Sequence, residues 1–71
     1  MKIHVQSRIA HGADTPVGFR LGEKFLRIAR VNEHWEDDGR KHYRVTVLDG
    51  RQFVLLQDTL TRNWELERVA A

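Results

Sequence analysis

Apolar and polar residues alternate along most of this chain with a period of two, the spacing of a strand with one covered face. In "KIHVQSRI", residues 2–9, Ile3, Val5 and Ile9 fall on one side, and Lys2, His4, Gln6 and Arg8 on the other. The following "AHGADTP" concentrates Gly12, Asp14 and Pro16, which is loop chemistry. Residues 17–35 admit two readings. As strands, they turn at Gly22-Glu23, where a leading glycine suits a type II′ hairpin, and "KFLRIARV" forms a long strand. As a helix over residues 22–36, Leu21, Phe25, Ile28, Asn32 and Trp35 share one stripe, which would make the fold α+β. Asn32 puts a polar residue within that stripe, so strands are the preferred reading.

Beyond residue 41 the pattern sharpens. "HYRVTVL" and "RQFVLL" flank Asp49-Gly50, a strong hairpin signal because both residue types tolerate positive φ. A strict two-residue turn pairs Val45 with Val54 and Tyr43 with Leu56, whereas one more loop residue brings Phe53 and Leu55 onto that face. Residues 53–56 are apolar throughout, so this strand is expected to be covered on both sides. "DTLTRN" is another turn-rich connection. "WELERV" then closes the chain, with Trp64, Leu66 and Arg68 alternating with Glu65, Glu67 and Val69. The expectation is an all-β fold: a small antiparallel barrel or roll of five or six strands, SH3-like or OB-like, in one domain spanning residues 1–71. Closure of the barrel would hide the strand edges.

The chain has 71 residues and no cysteine. A fold this small buries only about 60% of the surface of its unfolded chain, leaving little room for both a core and a deep substrate pocket. Disulfide frameworks and thiolate metal sites are excluded. The first ten residues lack an apolar signal core, and no apolar run approaches the roughly 20 residues that span a bilayer. A cytoplasmic protein without membrane contact is expected.

The densest chemistry lies in "NEHWEDDGRKHYR", residues 32–44. His34 and His42 would become cross-strand neighbours in a hairpin closing at Asp38-Gly39, but two ligands are short of the three or four that zinc requires. His4 and His11 lie far upstream. Glu36, Asp37 and Asp38 are adjacent in a polar run, without the contrasting environments that separate an acid from a base. Ser7 is the only serine and has no nucleophile-elbow glycines around it. No catalytic residue, metal or cofactor is therefore expected. The stretch reads as the wet tip of a hairpin, with Glu36 facing Arg40 or Lys41.

Charge is uneven, although twelve Lys and Arg against ten Asp and Glu give only +2 overall. Residues 20–30 carry a net +3, residues 40–51 another +3, and residues 33–38 a net −4. Small barrels bind single strands by stacking bases on aromatics and tracking phosphates with cations. Arg20, Lys24, Arg27, Arg44 and Arg51, with Trp35, are the candidate nucleic-acid contacts. The competing reading is a protein-interaction or self-associating module, since the acidic run at 36–38 would repel phosphate.

"FRLGEKFLRIARVNEHW", "YRVTVLDGRQFVLLQD" and "WELERV" together resemble a small uncharacterised bacterial domain, found alone or at the C-terminus of some Y-family polymerase-like proteins of mutagenic repair. The resemblance covers about residues 16–69. It is carried by Trp35 after a basic strand, Tyr43-Arg44-Val45, Asp49-Gly50, Asp58, and Trp64 leading to Arg68-Val69. In this chain "DDGRKHY" stands where that domain has more aromatics. The resemblance implies a β-rich fold and a DNA-repair protein as partner, and it carries over no catalytic residue.

Overall fold

A computed structural model of the chain describes residues 1–10 and 12–70. Six strands follow one another: β1 (Val5–Ala10), β2 (Ala13–Leu21), β3 (Lys24–Asp37), β4 (Arg40–Val47), β5 (Gln52–Asp58) and β6 (Trp64–Ala70). They form one antiparallel sheet in sequence order, curled into a small partly closed barrel. The described residues contain no helix, so none is long and apolar enough to cross a membrane. The helix over 22–36 gives way to the β2–β3 hairpin, whose Gly22 takes φ 63° while Glu23 keeps a negative φ, as a type II′ turn demands.

Curling brings the first residues back to the last strand. Lys2 bridges Glu65, Ile3 N–H donates to the Trp64 carbonyl, and Leu66 N–H donates to the Met1 carbonyl. The core inside the curl comprises Phe19, Tyr43, Val45, Val47, Phe53, Leu55 and Trp64. Phe19 meets Phe53 edge-on at 5.2 Å, and Tyr43 lies 5.4 Å from Trp64. Ile3, Val5, Leu21, Leu26, Ile28, Val31 and Leu66 pack around them.

Several expectations are corrected by bulges. Asp14, Thr15 and Pro16 belong to β2 and not to a loop, and Pro16 is fully buried opposite Ser7. Proline is tolerated there because β2 pairs with β3 only from Gly18 onward, so its missing N–H interrupts no ladder on that side. His11, also in that stretch, lies outside the described residues. A register shift between Gln6 and Ser7 ends the alternation of β1, leaving Ile9 75% exposed. Another shift, between Val54 and Leu55, turns Arg68 outward with Glu67 and leaves Trp64 and Leu66 inside.

The β4–β5 connection takes the longer of its two alternatives. Val45 pairs with Phe53 and Tyr43 with Leu55, so the strict two-residue turn is not adopted. Val47 N–H bonds the Arg51 carbonyl around a three-residue loop whose last residue, Gly50, has φ 96°. Strand β5 is covered on both faces as expected: Phe53 and Leu55 point inward, and Val54 on the convex side is also fully buried. Its neighbours there are Arg44 and Arg68, residues with stems long enough to cover apolar surface.

Candidate nucleic-acid interface and the adjoining cleft

Strand β3 is the organising element. Its first residues pair with β2 and its last ten with β4, and register shifts at 28–30 and 31–33 bend it between the two. Each shift is a bulge, which adds a residue and sharpens the local bend. Consequently the basic half, 24–30, and the acidic half, 33–38, lie on differently oriented parts of the sheet.

On the outside of the β2–β3 pair, Gly18, Arg20, Phe25 and Arg27 form a four-residue tile. Arg20 pairs with Phe25 and Gly18 with Arg27, while Phe19 and Leu26, between them in sequence, point to the core. The Phe25 ring lies over Gly18, where an added Cβ would overlap it. An aromatic laid across a strand glycine restores the packing that the glycine lacks. Phe25 nevertheless remains 46% exposed, with Arg20 opposite it and Arg27 two residues on. Neither Arg20 nor Arg27 has an ion-pair partner among the described residues. Gln6 continues the row on β1, and the His4 carbonyl receives the Arg20 N–H.

The six expected contact residues are thus divided. Arg20 and Arg27 come together around Phe25, whereas Lys24, opposite Leu21 at the turn, has the parity of core-facing Leu26 and points away from the tile. Arg51 sits on the β4–β5 loop with its Nε 2.8 Å from Asp49, and its guanidinium carbon is 5.5 Å from the Phe53 ring centre. Asp49 is held below its ordinary value, first by the Arg51 backbone N–H and further by the charges of Arg51 and Lys24, so those two cations share one neighbourhood. Arg44 lies apart, on the outside of β4, with Nε 3.0 Å from Glu33 in an ion pair that lacks hydrogen-bond alignment. Trp35 is apart too, its ring stacked 5.0 Å from His42, whose Nδ1 lies 2.7 Å from Glu67 Oε1. Phe25 escaped the sequence reading because it scores as core. The available signal was Gly18, a glycine within a strand pattern, which marks a close approach.

The stretch 32–44 is a hairpin, closed by Asp38 (φ 55°) and Gly39 (φ 76°) in a type I′ turn, with Glu36 opposite Lys41. His34 pairs with Tyr43 and Trp35 with His42, so the two histidines occupy opposite faces and are not cross-strand neighbours. Among the described residues no three metal-binding side chains converge.

A cleft of about 510 Å³ opens between the start of β2 and the second half of β3, lined by Asp14, Thr15, Val31, His34, Glu36, Lys41 and Tyr43 among others. Tyr43 donates its hydroxyl to the Asp14 carbonyl at 3.2 Å, and the Asp14 carboxylate holds Arg62 at 2.9 Å. Burial raises the Tyr43 phenol above its ordinary value, and the charges of Asp14 and Glu36 raise it further. No known family, characterised protein or solved structure matches this chain.

Proposed function

We propose that the protein is a non-enzymatic binding or adaptor module that lays single-stranded nucleic acid across the outside of β1, β2 and β3. One base stacks on Phe25, and the flanking phosphates are held by Arg20 and Arg27. The observation that carries this reading is half-exposed Phe25, its ring seated on Gly18 beside two arginines that have no carboxylate partner among the described residues. Stacking on an aromatic contributes roughly 1–3 kcal/mol per base and tolerates any sequence. The carboxylates are concentrated at the far end of β3, where Trp35 stands, so the strand is expected to avoid that end.

Within this proposal, the resemblance of residues 16–69 to a tail domain of polymerase-like repair proteins supports a role in the bacterial cytoplasm alongside DNA-repair machinery. The test is an amide-shift titration with oligo-dT of eight nucleotides at about 50 and about 200 mM salt. Shifts at Gln6, Arg20, Phe25 and Arg27 that shrink at the higher salt are expected. No movement there at low salt would sink the reading and leave a protein-interaction module.

A further inference from the structure

The residues ahead of β1 join the tile to the seam of the barrel. Arg20 N–H donates to the His4 carbonyl at 2.9 Å, so the β1–β2 register continues one step further and sets His4 beside Arg20. On its other side the same segment meets the start of β6. Lys2 bridges Glu65 and Ile3 N–H donates to the Trp64 carbonyl, a register that brings His4 opposite Asn63. Alternation then decides direction. Ile3 and Val5 pack against the core, so Lys2 and His4 stand on the outside, exposed, as Arg20 and Phe25 do. Phe25, Arg20, His4 and Asn63 thus form one row across four neighbouring segments, about 14 Å long at the usual strand spacing.

At the Asn63 end of this row a notch of about 350 Å³ opens at the seam. Its ionisable lining is Lys2, His4 and Arg62, with no carboxylate among the residues that line it. Two acids stand outside it. Glu65, opposite Lys2, lies 3.9 Å from the Met1 ammonium, and Lys2 has no ion pair among the described residues. Asp14 takes one terminal nitrogen of Arg62 at 2.9 Å, which anchors a side chain that stays 71% exposed. The other guanidinium N–H groups have no partner among the described residues. A lysine ammonium, a guanidinium, an imidazole that can donate in either protonation state and the Asn63 amide are all donors to oxygen. The lining therefore suits an anion.

We propose that this notch is a further phosphate subsite, which takes a phosphate of the single strand after it leaves the Phe25 tile, either an internal diester or a terminal monoester. The inference rests on the nucleic-acid reading and gives the bound strand a direction, across β3 and β2 to the seam. Lys2 and Arg62 supply the charge, and His4 bridges from Arg20 to the notch.

The test records amide shifts of the full ¹⁵N-labelled chain with three oligo-dT strands of eight nucleotides at about 50 mM salt. One has no terminal phosphate, one a 5′-phosphate and one a 3′-phosphate. The backbone amide of Lys2 and both the backbone and side-chain amides of Asn63 are expected to move together with Arg20 and Phe25. Equal movement with all three strands would identify an internal diester in the notch, and larger movement with one of the phosphorylated strands that terminal monoester. Lys2→Gln, at an exposed position, should keep the spectrum folded, weaken binding by about threefold and flatten the salt slope by roughly 0.7, the share of one contact. Shifts confined to the tile, with Lys2→Gln unchanged in affinity and slope, would overturn the notch and leave the tile standing. An equal loss in Lys41→Gln, a base off the row, would also overturn it, since general charge and not a contact would be at work. No shift at either place would overturn both readings.

Discussion

Trp35 and His42 stack face to face on the convex side of the β3–β4 hairpin, ring centres 5.0 Å apart and planes within 3°. His42 in turn meets Glu67 of β6 across the intervening β5, so one imidazole connects three strands. The pair clamps the hairpin, and His42 occupies one face of the Trp35 ring.

A double-mutant cycle measures the clamp. Trp35→Ala and His42→Ala should each lower the urea midpoint, with a coupling of about 0.5–1.5 kcal/mol between them. Coupling near zero would mean that the stack adds nothing beyond burial.

Gly18→Ala should destabilise the fold by about 1–3 kcal/mol, because the added methyl displaces the Phe25 ring. Combined with Phe25→Ala, the same substitution should cost less, the close approach that remains being the Leu26 carbonyl at 3.2 Å. Chemical denaturation of the four proteins separates this close approach from a general intolerance of alanine in β2.

Asp58 shapes the β5–β6 loop. The backbone N–H groups of Thr61 and Leu60 bond its carboxylate and hold its titration below the ordinary value. A carboxylate lowered in the folded state stabilises the fold above its unfolded value of about 3.9, and that contribution fades as pH falls through the lower folded value. Asp58→Asn should therefore lose less stability than the parent as pH falls below about 4. Urea midpoints across that window check the sign.

Removing one phosphate contact should also be visible as a slope. For single strands each contact contributes roughly 0.7 to the dependence of log affinity on log salt. Arg20→Ala and Arg27→Ala should each flatten the slope for oligo-dT by about that much, while Arg44→Ala, ion-paired to Glu33, should leave it unchanged.

The hairpins were legible because their turns are written in residue type. Gly22-Glu23 and Asp38-Gly39 need particular φ values, and few dipeptides supply them. The three-residue loop around Asp49-Gly50 was legible as a turn but not as a length, since the apolar run 53–56 satisfies either register. Bulges were invisible: an extra residue opposite one has no composition of its own, so Ile9 and Arg68 read as inward. The tile was half legible. Its arginines appeared as local charge, but Phe25 joins them only once the β2–β3 register is known. The cleft was hidden because it exists where two strands fail to pair, and alternation says nothing about pairing.

Strand β3 begins with Lys24, Arg27 and Arg30 and ends with Glu33, Glu36 and Asp37, in a molecule whose longest dimension is 30 Å. The acids face Arg44, Lys41 and Arg40 in turn on β4, whereas the bases of the first half face Leu21, Gly18 and Thr46. At ordinary salt the Debye length is about 8–10 Å, so a group outside the molecule senses the charge of its own neighbourhood and little beyond it. The acidic half is thus offset by its partner strand while the basic half is not, and a local positive field survives there that the net charge of +2 would not suggest.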